Sequence, residues 1–157
     1  MAGMDIEITN EPSRLVAVVR RTVATADLVP FYDSVYTDVV AALHAVGSGP
    51  AGPALGWLHH DGRADALDIA AGFEVTGLEL GPLTPDVEVV EIPSGRAVAG
   101  DYQGPYDGLS DAWQQLDERR KHEGLVARGD TVEVYLTEPA PGGDPALNRT
   151  RLVMMVD

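Results

Sequence analysis

The same order of predicted secondary-structure elements occurs twice along this chain, and this internal repeat restricts the fold more than any other feature. Each half contains a strand, an amphipathic helix and two further strands. The first repeat covers about 5–76, a linker covers about 77–85, and the second repeat covers about 86–157. Because the identity between the halves is weak, the prediction depends on element order. A period of roughly 80 residues predicts two βαββ units in a single domain over 1–157.

A long amphipathic pattern defines the first repeat. Apolar side chains at helical spacing predict a helix over 28–46, with Asp27 as its N-cap and Gly47 after its last turn. Short apolar segments predict strands on both sides of this helix. These strands are expected at 6–8, 15–19, 54–60 and 67–75, with the turn Asp61-Gly62-Arg63 joining the last two.

The second repeat has the same elements. A turn over 104–108 leads into a helix with Trp113 and Leu116 on its buried side, and Gly124 closes it. Strands are expected at 87–92 continuing as 96–102 after a break at 93–95, then at 130–136 and 150–156. Two such units share a sheet and form a cleft where they meet. The predicted fold class is therefore α+β, with duplicated βαββ units forming an antiparallel sheet, two main helices and a ligand cleft between the repeats.

Acidic residues greatly outnumber basic residues. Eleven Lys and Arg residues against 25 Asp and Glu residues give a formal net charge of −14. Such a surface repels phosphate backbones, so direct nucleic-acid binding is not expected, whereas cations are attracted. The plainer alternative is that the acidity only keeps the protein soluble.

Other bulk features restrict the chemistry and the compartment. Cysteine is absent, which removes disulfides, thiolate metal sites and cysteine nucleophiles. The adjacent His59 and His60 would point to opposite faces of a strand, so we predict no metal site, and we predict no cofactor. No signal peptide and no membrane-spanning apolar segment is visible, and we expect a cytoplasmic protein.

The predicted strand 130–136 carries an acid in an apolar setting. Apolar side chains alternate along it with Glu133 and Tyr135, which share one face. A carboxylate there costs free energy unless a partner compensates its charge. One alternative is an exposed position or an ion pair with Arg96 or Arg151. The other is a cationic ligand, for which Tyr135 would form an aromatic wall.

Aromatic residues supply further candidates, because Tyr and Trp rings make favourable walls for a delocalised cation. Trp57 lies on the first-repeat strand that corresponds to the strand of Glu133, so a cleft between the repeats would receive both side chains. For Phe31 and Trp113 the alternative is core packing. The candidate ligand-binding residues are Glu133, Tyr135, Trp57, Tyr106, Trp113, Phe31, Tyr36 and Tyr102.

Several short segments match a known family in their order and spacing. They are Glu91-Ile92-Pro93-Ser94-Gly95-Arg96-Ala97-Val98-Ala99, Tyr102-Gln103-Gly104-Pro105-Tyr106, Trp113 with Leu116, Glu133-Val134-Tyr135-Leu136-Thr137-Glu138-Pro139 and Arg149-Thr150, with Gly52-Pro53-Ala54, His59-His60-Asp61 and 67–72 in the first half. With these segments, nearly the whole chain resembles the GyrI-like small-molecule-binding family. That family also forms the effector-binding half of some AraC- and MerR-type multidrug-responsive regulators.

The resemblance implies a duplicated βαββ fold with an acidic residue in the ligand cleft, which falls on Glu133. It also implies aromatic walls and flat, apolar, often cationic ligands. Some GyrI-like proteins resemble hydrolases that open the strained cyclopropane of DNA-alkylating natural products. Many relatives carry a second acid at the position of Ala70, so a two-acid site is not expected here. No helix-turn-helix segment is recognisable, and we expect a stand-alone domain, not a complete regulator.

Three functions are compatible with these residues. The first is a sensor or sequestering protein that binds planar, hydrophobic, cationic small molecules of multidrug or dye type in an aromatic cleft, with Glu133 as counter-charge. The second is a hydrolase in which Glu133 orients a water or acts as general acid/base while Tyr106 or Tyr135 donates a hydrogen bond. The third, suggested by the family name, is interaction with DNA gyrase or with a separate regulator, which no patterned acidic helix favours.

Overall fold

The computed structural model of the chain describes residues 4–60, 65–137 and 143–157. Within these ranges the strands are β1 (Ile6–Glu11), β2 (Arg14–Ala24), β3 (Ala54–His59), β4 (Ala66–Glu74), β5 (Gly81–Pro82), β6 (Glu88–Ile92), β7 (Gly95–Gln103), β8 (Ala127–Tyr135) and β9 (Arg149–Val156). The helices are α1 (Leu28–Ala45) and α2 (Leu109–His122). β5 lies within the predicted linker 77–85. The predicted turn at 61–63 and the first part of the predicted loop 139–145 lie outside the described residues.

All of these strands belong to one antiparallel sheet in the order β1-β7-β9-β8-β3-β4-β2-β6-β5. This order relates equivalent strands of the two repeats about the sheet centre: β8 to β3, β9 to β4, β7 to β2 and β1 to β6. The two central strands, β3 and β8, are thus equivalent elements that pair with each other. The predicted fold class, an α+β protein with an antiparallel sheet and two main helices, is confirmed.

The first strand of each repeat pairs in the other repeat's half of the sheet. β1 pairs with β7, and β6 pairs with β2. The interpretation of 87–102 as one interrupted strand is therefore wrong, because β6 and β7 lie near opposite ends of the sheet. Only Pro93 and Ser94 separate them, and so short a link spans at most about 10 Å, so the sheet curls until its ends approach each other. Pro12 and Ser13 make the equivalent connection 81 residues earlier.

Both α-helices cover the same face of the sheet. α1 packs on β2 and β4, and α2 packs on β7 and β9. β3 and β8 therefore lie between the two helices that the described residues form. The opposite face buries a second apolar core, formed by Val16, Ala97, Val132 and their neighbours from both ends of the curled sheet. This arrangement leaves a space between the helices above the two central strands.

The boundaries of α1 agree with the predicted helix 28–46 to within one residue. Gly47 follows the helix with a φ of +73°, the left-handed conformation in which glycine commonly ends a helix. Asp27 is the N-cap residue and ends a 3₁₀ turn, Thr25–Asp27, that leads into the helix, and its side chain makes no capping hydrogen bond. Neither helix of the described part of the chain has the length and apolarity that crossing a membrane requires.

Candidate functional site

Glu133 lies at the centre of the sheet, on the face that carries the helices. Its cross-strand neighbours are Gly56 on β3 and Leu152 on β9. Leu152 packs with α2 in the core, so Glu133 points toward the same side. Residue Glu133 is 9% exposed. Strand alternation thus directs this acid into the space between α1 and α2.

Two neutral donors hold the Glu133 carboxylate. The indole nitrogen of Trp113 donates to Oε2 at 2.6 Å, and the hydroxyl of Tyr135 donates to Oε1 at 2.7 Å. Among the described residues, no basic side chain forms a salt bridge with Glu133, and Arg151 pairs instead with acids of β1 and β7. The negative charge is hydrogen-bonded but not neutralised. A contacting cation would therefore gain Coulomb energy in a setting of reduced dielectric constant.

Four tyrosines form a connected aromatic cluster beside this carboxylate. Tyr32 stacks on Tyr36 with 5.8 Å between ring centroids. Tyr135 lies 6.1 Å from the rings of both Tyr32 and Tyr106 and meets each of them edge-on. The hydroxyl oxygens of Tyr32 and Tyr135 are 3.4 Å apart. The fold thus brings residues of α1, β8 and the turn before α2 together around Glu133.

These tyrosines stay protonated at neutral pH. Burial, followed by the charge of Glu133, raises the pKa of Tyr135 well above its usual value. Burial is also the main cause of the raised pKa values of Tyr32, Tyr36 and Tyr106. The phenols therefore act as neutral hydrogen-bond donors and aromatic surfaces, not as anions.

A groove of about 890 Å³ opens beside Glu133. Trp113 of α2 lines one wall, and Leu58 of β3, Thr131 of β8 and Met154 of β9 contribute to its lining. The volume lies within the range of small-molecule sites. Ionisable side chains also line the groove, among them His60, Asp117, Lys121 and Asp130, so a bound molecule would meet acidic groups besides Glu133.

Trp57 does not face Glu133. It pairs directly with Val132, which packs in the core on the opposite face of the sheet. Its indole nitrogen donates to the carboxylate of Asp130 at 2.8 Å. The expectation that Trp57 and Glu133 share a cleft is corrected, because the register places Gly56 opposite Glu133 and turns the next side chain to the other face.

Of the eight predicted ligand-binding residues, Glu133 and Trp113 line the groove, whereas Tyr36, Tyr106 and Tyr135 belong to the tyrosine cluster beside Glu133. Phe31 and Tyr102 lie away from both. Phe31 is 7% exposed, in the core beneath α1. Tyr102 donates to the carbonyl oxygen of Pro105 at 2.7 Å and lines a separate cavity of about 730 Å³ next to α2. Ala70, the position considered for a second acid, pairs with Trp57 and is buried on the far face. It lies outside the cleft between the helices.

Tyr32 and Gly56 belong to the site although neither is among the candidates predicted from the sequence. Tyr32 precedes Trp113 by 81 residues, the offset that also relates Pro12 to Pro93. An alignment of the two repeats at this offset places Tyr32 opposite Trp113 and so provides a sequence signal for Tyr32. Gly56 leaves no comparable signal, since its importance follows from its position in the strand pair β3 and β8.

Sequence comparison decides the family. A family model described as the GyrI-like small molecule binding domain matches residues 4–157. The chain belongs to the GyrI-like family. No curated protein sequence matches it. The match extends over both repeats and includes Glu133 and the residues that hold it.

Solved structures share the GyrI-like fold at low sequence identity. The EcmrR C-terminal domain is 20% identical over 99% of each chain, with a TM-score of 0.75. EcmrR in its DNA complex is 19% identical with a TM-score of 0.80, over 98% of this chain but only 57% of the EcmrR chain. SAV2435 bound to tetraphenylphosphonium is 14% identical with a TM-score of 0.70, over 98% of this chain and 94% of SAV2435. A hydrolase encoded by lin2189 from Listeria innocua is 15% identical with a TM-score of 0.67, over 98% and 92%.

Proposed function

We propose that this GyrI-like protein binds hydrophobic aromatic cations, as a sensor or a sequestering protein. The proposal is supported above all by the burial and the hydrogen bonding of the Glu133 carboxylate. Its carboxylate is almost fully buried, accepts hydrogen bonds from two neutral donors and has no basic partner among the described residues. Withdrawing a carboxylate from water costs several kcal/mol, and a cation in contact with it offsets part of that cost.

Aromatic rings favour the same class of ligand. Trp113 and Tyr135 contact the carboxylate itself, and Tyr106 extends the aromatic surface. A cation held against such a ring gains about 0.5–2 kcal/mol. The net charge of −14 raises the local concentration of cations further. SAV2435, which has a similar fold, is bound to tetraphenylphosphonium, a hydrophobic monocation.

The two tryptophans of the chain allow binding to be located by fluorescence. Trp113 touches Glu133, whereas Trp57 lies on the opposite face of the sheet. In the Trp57→Phe variant all indole emission comes from Trp113, and tetraphenylphosphonium should change it to a saturating value. In the Trp113→Phe variant the emission of Trp57 should stay constant. An unchanged Trp113 signal up to millimolar cation, or an equal response from Trp57, would rule out binding at this site.

The contribution of the carboxylate is tested by Glu133→Gln, which keeps the size of the side chain and removes its charge. We expect the affinity for tetraphenylphosphonium to fall about tenfold to a hundredfold. The matched control is Glu123→Gln at the end of α2, where an exposed acid pairs with Arg119. This variant makes the same change in net charge and should bind as the wild type does.

A second candidate is hydrolysis of an electrophilic cyclopropane in the same cleft, favoured by the phenols that surround the acid. Glu133 would accept a proton from water while the water oxygen attacks a ring carbon. The breaking carbon–carbon bond would leave its electron pair on a conjugated carbonyl oxygen that accepts a hydrogen bond from the Tyr106 hydroxyl. The proton taken up by Glu133 would then pass to the resulting enolate, which frees the carboxylate again. The fold relative from Listeria innocua is described as a hydrolase.

Product mass separates the two candidates. A ligand that gains one water in the presence of the wild type, but not of Glu133→Gln, supports hydrolysis. A ligand that binds and is recovered unchanged after long incubation supports the binding role alone.

A further inference from the structure

The groove beside Glu133 continues along β8 as far as Thr131. Glu133 and Thr131 both line it, and they are two residues apart on the strand, so their side chains point to the same face. The cross-strand partners of Thr131 are Leu58 and Met154, and both of these also line the groove. Two residues of an extended strand span about 7 Å. A molecule whose positive charge contacts Glu133 can therefore extend along the groove to Thr131.

Thr131 is a buried residue that is hydrogen-bonded to an exposed one. It is 6% exposed, and its hydroxyl oxygen lies 2.9 Å from Nε2 of His60, which also lines the groove. The backbone N–H of His60 donates to the carbonyl oxygen of Gly129 at 2.8 Å. Both the backbone and the side chain of His60 are thus bonded to β8, so the imidazole holds the Thr131 hydroxyl in place.

The Thr131 hydroxyl keeps a free acceptor position in either neutral tautomer of His60. A hydroxyl group has one hydrogen and two lone pairs. If Nε2 carries no hydrogen, Thr131 donates to it and both lone pairs stay free. If Nε2 carries the hydrogen, His60 donates to Thr131 and one lone pair stays free. Among the residues that the structure describes, only His60 forms a hydrogen bond with this hydroxyl.

The other polar side chains of the groove are already bonded or are exposed. Arg128 bonds the carboxylate of Asp130, and Lys121 bonds that of Asp117. Three more lie exposed on α2, where water competes for their hydrogen bonds: Ser110, Gln114 and Glu118. Within the described lining, Thr131 is therefore the buried neutral group with an acceptor position open to a ligand.

We infer that Thr131 is a specificity-determining residue that accepts a hydrogen bond from an N–H or O–H group of the ligand. The inference rests on the proposed cation-binding function and narrows the ligand class to hydrophobic aromatic cations that carry a hydrogen-bond donor on a ring. The positive charge contacts Glu133 while the donor contacts Thr131. An N–H group that enters the groove loses hydrogen bonds to water, and Thr131 replaces one of them.

Two derivatives of tetraphenylphosphonium with nearly equal size test this assignment. One carries an amino group at the para position of a single ring, and the other carries a methyl group at the same position. Calorimetric titration gives the affinity of each cation for wild type and for each variant. The measured quantity is the ratio of the amino to the methyl affinity within one protein, so a general change in the groove cancels.

We expect Thr131→Val to lower this ratio about threefold to tenfold, because the change keeps the shape of the side chain and removes its acceptor. Thr131→Ser keeps the hydroxyl and should keep most of the wild-type ratio. The matched control is Thr150→Val, the same chemical change at a fully buried threonine of β9 that does not line the groove. It should leave the ratio unchanged. A purely structural role for Thr131 would weaken both cations equally and would not move the ratio.

Two results would overturn the inference: a wild-type ratio in Thr131→Val, or an equal fall of the ratio in Thr150→Val. The same titrations separate it from the proposed function. If wild type binds both cations but the ratio does not depend on Thr131, the cation-binding role stands and the assignment of Thr131 is wrong. If wild type binds neither cation, the cation-binding role fails and the inference fails with it.

Discussion

The indole nitrogen of Trp113 lies 2.6 Å from Oε2 of Glu133, so α2 is hydrogen-bonded directly to a carboxylate on the central strand β8. The contact connects α2, which covers the second repeat's half of the sheet, to the strand pair β3 and β8, where the two repeats meet. It gives Trp113 two roles, because its ring also packs with the core beneath α2. Replacing this one side chain should therefore affect both binding and packing.

We expect Trp113→Phe to weaken tetraphenylphosphonium binding about fivefold to thirtyfold, because Glu133 loses a donor and the wall loses aromatic surface. Trp57→Phe makes the same chemical change on the opposite face of the sheet. It removes the hydrogen bond to Asp130 and should lower stability by about 1–2 kcal/mol while leaving the affinity unchanged. Calorimetric titration and urea unfolding of both variants measure these effects. Equal losses of affinity in the two variants would refute the assignment of Trp113 to the site.

Gly72 is a packing position, where β4 lies close to β2. A Cβ atom there would fall inside the contact distance of the Ala17 carbonyl oxygen, and backbone atoms cannot move aside cheaply. We expect Gly72→Ala to destabilise the protein by about 3 kcal/mol or more. Gly49→Ala, in a loop with no atom near the added methyl group, should change stability little. Urea unfolding of both variants tests this, and equal stability would contradict the close approach of β2 and β4.

Asp130 should make stability depend on pH in the acid range. Burial acts to raise its pKa, but hydrogen bonds from Arg128 and Trp57 outweigh burial and place the pKa below the usual 3.8. Because the folded-state pKa is the lower one, the stabilisation is complete above the unfolded value and is lost as the pH falls through the folded value. Asp130→Asn should cost about 1–3 kcal/mol at neutral pH.

The stability difference between wild type and Asp130→Asn should therefore shrink on acidification below about pH 4. Asp33→Asn, a change at an exposed acid of α1, serves as the control and should cost little at any pH. Urea unfolding at neutral and acid pH measures both. A difference for Asp130→Asn that stays constant through the acid range would show that its charge contributes nothing.

Glu133 and Tyr135 could be predicted from the sequence because strand alternation places them on one face and an unbalanced acid is conspicuous in an apolar strand. The misplacement of Trp57 has a physical reason. Alternation shows which side chains of one strand share a face. The register between neighbouring strands decides which of their side chains lie on the same face as Glu133, and a shift of one residue exchanges the two faces. Here the register places Gly56 opposite Glu133, and glycine has no side chain from which the sequence could predict a role in the site.

The long-range pairing of strands was also beyond what local sequence shows. Pro93-Ser94 reads as a kink within one strand, yet it connects strands at opposite ends of the sheet. The pairing of β1 with β7 and of β6 with β2 depends on contacts between the repeats, which hydrophobic periodicity within each repeat does not report. Helices α1 and α2, in contrast, are marked by local spacing and by the glycines that follow them.

The central claim is that the charge of Glu133 recognises the positive charge of the ligand. Calorimetric titration at alkaline pH, where acridine is uncharged, compares N-methylacridinium and acridine on wild type and on Glu133→Gln. We expect wild type to bind the cation about tenfold or more tightly than acridine, and Glu133→Gln to lose this preference while binding acridine almost as before. Equal affinities of wild type for the two ligands, or a preference for the cation that persists in Glu133→Gln, would contradict the claim.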